Sequence, residues 1–132
     1  MLAHALIPSQ RTTEAFEALR GAVETDDDLL VAPHILVEFT TALRKLEVRG
    51  SLTEHEVQNA LADLSRLELR VLSRVDAYPR GMELATRLRQ SDTFDSTGYA
   101  IAERLGAEFW VSDRRFANAA AAASLPGIRF IP

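Results

Sequence analysis

Four short, largely apolar runs, separated by segments whose apolar residues recur at helical spacing, narrow the possible folds of this chain more than any other feature. The runs fall at residues 29–32, 69–72, 109–111 and 128–131. The first, Leu29 to Ala32, is continuously apolar, as a strand covered on both faces is, whereas the second and fourth each carry one arginine, Arg70 and Arg129. Strands separated by helices are joined by right-handed crossovers, and such crossovers make neighbouring strands parallel. The pattern therefore predicts an α/β fold, with a mostly parallel sheet flanked by helices on both faces. At 132 residues the chain has the length of one domain. The expectation is a single domain over residues 1–132.

The helical segments can be bounded from their end signals. Residues 1–6 read as a short helix or strand closed by Pro8, and Thr12 or Thr13 can cap a helix running to Gly21. Asp26, Asp27 and Asp28 make a solvated turn before the first run. From Pro33 to Arg49 the stripe Ile35, Phe39, Ala42, Leu43 and Leu46 predicts a helix ended by Gly50. Thr53 and Glu56 have the spacing of a capping box, ahead of an apolar face of Val57, Leu61 and Leu64. A helix over 76–89 is expected despite Pro79 and Gly81. Thr93 can cap another, carrying Phe94, Ile101, Ala102 and Leu105 up to Gly106, and Asp113 can open the last, through Phe116 and the alanines 119–123.

Composition excludes several function classes. There is no cysteine, so disulfides and thiolate metal sites are ruled out, which fits a reducing cytoplasm. No apolar stretch approaches the roughly 20 residues a membrane helix needs, and the apolar start lacks the basic residues and cleavage site of a signal peptide. A net charge of -4 gives no general basic field, so any nucleic acid has to be held locally. His4, His34 and His55 show no ligand spacing, and no glycine cluster follows a strand to cradle a nucleotide phosphate.

Three acids stand where chemistry is possible. Glu38 lies a turn and a half into its helix, just off the apolar stripe and half sheltered, near the C-terminal end of the first strand, where open α/β sheets place ligands. An exposed glutamate gaining from the helix dipole would sit there too. Asp95 falls in the first turn of its helix and should border the core; Asp113 directly follows a strand, where an ordinary N-cap would also be found. One sheet edge could gather all three. Clustered carboxylates raise one another's pKa unless a cation is present, and oxygen donors suit hard Mg²⁺ or Mn²⁺. Such an ion would activate water against a phosphodiester without a covalent intermediate. Ser112 could assist by hydrogen-bonding a ligand or water, or else satisfies local backbone. Arg114 and Arg115 sit where phosphate could be met.

The stretch from Ala32 to Leu43, which contains Glu38, resembles the second conserved block of PIN-domain ribonucleases, the VapC-type toxins of bacterial toxin-antitoxin pairs. Residues 94–102, with Asp95, resemble the third block, and residues 111–116, with Asp113, the fourth. The resemblance implies a PIN-like, Rossmann-like three-layer domain and a Mg²⁺- or Mn²⁺-dependent endoribonuclease, the toxin of a type II pair. Glu38, Asp95 and Asp113 would be its catalytic acids and metal ligands. It further implies an RNA substrate, a cognate VapB-type antitoxin and a homodimer. Thr41 stands where the family often has asparagine, and Ser112 where it often has threonine.

A larger departure lies at the start. The family begins with a hydrophobic strand ending in a metal-binding aspartate, whereas here residues 1–6 resemble the helix that follows, and no acid precedes Glu14. The missing strand would be central to the sheet, so the expectation is an N-terminally incomplete domain, and the chain as given could be inactive. Two other readings stay open. One is a non-catalytic PIN-like protein that binds an antitoxin or RNA. The other is a receiver-like module, which would need a late lysine where none follows Lys45.

Overall fold

A computed structural model describes all 132 residues, and the chain divides into two compact units, Met1–Leu72 and Ser73–Pro132. In the N-terminal unit, α1 (Leu2–Leu6) leads through a 3₁₀ turn to α2 (Thr13–Glu24), β1 (Leu30–Val31), α3 (Pro33–Val48), α4 (Glu54–Arg66) and β2 (Arg70–Val71). The ambiguous opening segment is thus a helix. Helix α2 starts at the Thr12 cap, whose hydroxyl accepts from the Ala15 N–H at 3.2 Å. It runs past Gly21 and is closed at Thr25, since glycine in right-handed geometry weakens a helix without ending it. Both arms of the Thr53–Glu56 capping box are made. Leu6, Ile7, Leu19, Phe39 and Leu43 are buried in this unit.

The C-terminal unit holds α5 (Tyr78–Arg87), α6 (Phe94–Leu105), β3 (Phe109–Val111), α7 (Arg114–Ala122) and β4 (Ile128–Phe130). The helix expected over 76–89 is interrupted. Residues Val75–Ala77 form a 3₁₀ turn, and Pro79 sits in the first turn of α5, where its missing N–H costs nothing. Tyr99 and Phe116 are almost fully buried, and Phe109 meets both rings edge-on at 5.9 Å. Thr97 packs so closely on Gly81 that a Cβ there would lie 2.6 Å from its hydroxyl.

All four expected strands are present and all pairing is parallel, as in an α/β fold. They form two separate pairs, however, rather than one sheet: β1 with β2 and β3 with β4. Strands of two or three residues carry few ladder bonds, and each here pairs within its own unit. In the second pair Phe109 lies opposite Ile128, Trp110 opposite Arg129 and Val111 opposite Phe130.

Candidate metal and phosphodiester site

Asp95 and Asp113 lie at the same end of the C-terminal unit. Only Gly106 and two further residues separate α6 from β3, and Gly98 touches the Phe109 ring, so α6 folds back along β3. The N-terminus of α6 and the C-terminus of β3 then point the same way. Asp95 stands in the first turn of α6, and Asp113 follows two residues after β3.

Each acid has a local structural role as well. Asp113 is the N-cap of α7: its Oδ1 accepts from the Phe116 N–H at 2.8 Å. The capping expectation is met, and Oδ2 is left out of that bond. Asp95 is half-buried, next to Ser96 and Thr97, which are 1% and 3% exposed. At the start of α6, Thr93 occupies the cap position but makes no side-chain cap bond; Asp92 Oδ1 instead accepts from the Phe94 N–H at 3.3 Å. The acid one residue earlier supplies the side-chain acceptor in place of the threonine hydroxyl.

Glu38 belongs to the N-terminal unit, on α3, and it is exposed rather than half sheltered. The buried residues of α3 are Phe39 and Leu43, and a residue next to Phe39 is turned roughly 100° from it around the helix. The intermediate exposure of Ala42 shows that the apolar stripe is centred further from Glu38 than the sequence spacing implied. Neither unit by itself assembles three His, Cys, Asp or Glu side chains into a ligand group.

Two hydroxyls flank the C-terminal acids. The Ser112 Oγ is buried and has no hydrogen-bond partner, so it is not satisfying local backbone. The Ser96 Oγ, directly after Asp95, is likewise buried and unpaired. Unpaired buried hydroxyls are uncommon and call for an explanation, such as a ligand or ordered water. Sequence reading passed over Ser96, although two polar residues in succession after Asp95, inside an otherwise apolar helix face, were the available signal. His4 is held below the ordinary histidine range, first by burial and then by the nearby N-terminal amine.

The donor set can be tested against a divalent ion. Mg²⁺ is usually held by one or two carboxylates and keeps several waters. Two carboxylates at one end of a unit, one with an oxygen outside its capping bond and an unpaired hydroxyl beside it, fit that requirement. Thiolate and imidazole ligands are absent from this end, which suits a hard cation over zinc.

A family profile described as PIN domain matches residues 3–122. No curated protein matches the chain in sequence. No helix is long and apolar enough to cross a membrane.

Proposed function

The chain belongs to the PIN domain family, whose members are generally metal-dependent nucleases, and from that premise we propose that it is a Mg²⁺- or Mn²⁺-dependent endoribonuclease of the VapC toxin type. The observation that carries this reading is the arrival of Asp95 and Asp113 at one end of the C-terminal unit, each fixed in a helix first turn or cap. Asp95 and Asp113 would hold the ion, and Glu38 would be a third ligand or the group that positions the attacking water. The ion supplies a water activated at neutral pH and offsets charge building on the phosphodiester. Ser112 would offer its free hydroxyl to that water or to a phosphate oxygen. The reading includes the three-layer arrangement of the family, a single domain, a homodimer, and a VapB-type antitoxin as partner in the cytoplasm.

The exposure of Glu38 and the lack of a three-ligand group within either unit favour a second reading, a PIN-like protein that binds RNA or an antitoxin without cutting. The two part in one experiment. Purified chain is incubated with RNA and Mn²⁺, and again as Asp95→Asn. The nuclease reading expects cleavage that needs Mn²⁺ and disappears in the variant. Absence of metal-dependent cleavage, or cleavage that survives the substitution, leaves only the binding reading.

A further inference from the structure

Most cations of the C-terminal unit are already committed. Arg74 and Arg104 pair with Asp76, and Arg80 pairs with Glu83 and Glu103. Arg87 donates to the Ala123 carbonyl, and Arg129 lies over the Trp110 ring with Glu108 3.8 Å away. Arg89, Arg114 and Arg115 remain with neither a carboxylate nor a carbonyl partner. Arg89 follows the C-terminus of α5, where the helix dipole favours a cation. Arg114 and Arg115 are the first two residues of α7, where the dipole opposes one; the acid at that end is the cap itself, Asp113, and the first turn adds none. Both are exposed.

Arg114 is also held in place. Its guanidinium stands 4.7 Å from the centre of the Phe130 ring on β4. A cation stacked on an aromatic face is fixed in direction while its N–H donors stay free in the ring plane of the guanidinium, which suits bidentate contact with a phosphate. It adjoins Asp113 in sequence, so a phosphate held by Arg114 would lie beside that carboxylate.

We infer that Arg114, oriented by Phe130 and joined by Arg115, is a phosphate-binding residue that seats the backbone of single-stranded RNA against the Asp113 end of the C-terminal unit. This deepens the nuclease reading and rests on it for the identity of the substrate. An acidic protein segment is the competing occupant. It would be attracted by the same charges, but it does not supply the planar, multi-oxygen acceptor that a stacked guanidinium matches.

The test is binding of a fluorescent single-stranded RNA to the full chain in EDTA, followed by anisotropy across a salt series, so that cleavage plays no part. Arg114→Ala should weaken binding roughly fivefold, the size expected of one part-exposed charge contact. It should also flatten the salt dependence by about 0.7 in log–log slope, as one lost phosphate contact to a single strand implies. Arg114→Lys keeps the charge but not the stacked fork, so it should keep the slope and lose part of the affinity. Arg115→Glu should raise the unfolding temperature by suiting the dipole while weakening RNA, an opposition that a purely structural role does not produce. Arg49→Ala, at an exposed cation of the N-terminal unit, is the control.

Unchanged affinity in Arg114→Ala, an equal loss in Arg49→Ala, or no RNA binding by the parent chain would each overturn the inference. Competition by polyglutamate as effective as that by unlabelled RNA would overturn it in favour of an acidic protein partner. Metal-dependent cleavage that persists with Arg114 irrelevant to binding sinks this inference alone. Arg114-dependent binding without any cleavage sinks the nuclease reading alone.

Discussion

Asp113 holds the start of α7 through one oxygen and is assigned to the ion through its charge, and two substitutions separate these roles. Asparagine is about as good an N-cap as aspartate, so Asp113→Asn keeps an acceptor for the Phe116 N–H and should change stability by less than about 0.5 kcal/mol. Alanine has no acceptor. The 2.8 Å bond is then lost at the first turn of a helix whose Phe116 is fully buried. A lost cap costs roughly 1 kcal/mol, which for a chain of this length lowers the unfolding midpoint by about 3–5 °C. Both substitutions remove one carboxylate charge from the proposed site, so both should abolish Mn²⁺-dependent RNA cleavage and weaken Mn²⁺ binding in calorimetric titration. The expected pattern is an asparagine variant that unfolds like the parent but does not cut, and an alanine variant that fails in both. Cleavage retained by Asp113→Asn would refute the ligand role. An alanine variant that unfolds with the parent would refute the energetic weight given to the cap.

Other substitutions probe the fold. Gly81→Ala should destabilise by about 1–2 kcal/mol in urea unfolding, because its Cβ would meet the Thr97 Cα at 2.9 Å, a backbone atom that cannot swing aside. Gly21→Ala, with nothing within 4 Å of the added carbon, should instead stabilise by roughly 0.5–1 kcal/mol; equal signs for the two would contradict the packing argument. Tyr99→Phe removes the 3.0 Å bond from the hydroxyl to the Pro126 carbonyl and should lower stability by roughly 1 kcal/mol in the same assay. The Arg74 hydrogen bond holds the Asp76 carboxyl down at about 2, from an ordinary 3.8. A depressed acid stabilises the fold above its unfolded pKa and loses that contribution as pH falls toward the folded one. The Asp76 carboxyl resonance should therefore titrate near pH 2, and Arg74→Ala should move it back toward 4.

The helices and strands were legible because their signals are local. Thr53 and Glu56 announce a capping box from their spacing, and Phe109 to Val111 is apolar enough to fix a strand to the residue. Strand direction was legible too, since a helix between strands leaves little choice but a parallel crossover. What could not be read was which strands pair. Pairing depends on the backbone partners available to a run of two or three residues, and nothing in Leu30 and Val31 singles out Arg70 and Val71 over the residues of another short strand. The break in the helix at Val75 to Ala77 was obscured for a related reason. Apolar periodicity continues through it, and only the position of Pro79 tells where regular geometry can begin.

Where the candidate acids stand in the fold was legible in outline, because acids that start helices occupy positions fixed by the helices themselves. Asp95 and Asp113 reach one end of the C-terminal unit as a consequence of α6 folding back on β3, which the short connection between them already required. Residue type alone could not separate ligand from cap, because the same carboxylate geometry serves both, and Asp113 does cap. Glu38 shows the opposite failure. Helical spacing places it just off a stripe that includes Ala42, and burial concentrated on Phe39 and Leu43, with Ala42 only partly covered, leaves it in solvent. The more discriminating signal is polar groups that the fold leaves unsatisfied. The hydroxyls of Ser96 and Ser112 each follow or precede an acid and find no protein partner, although burial has already cost them water. A sequence does not display that cost, since serine beside aspartate is also how turns and caps are written. The structure turns it into a physical reason to expect a polar ligand at the end of the C-terminal unit that carries the two aspartates.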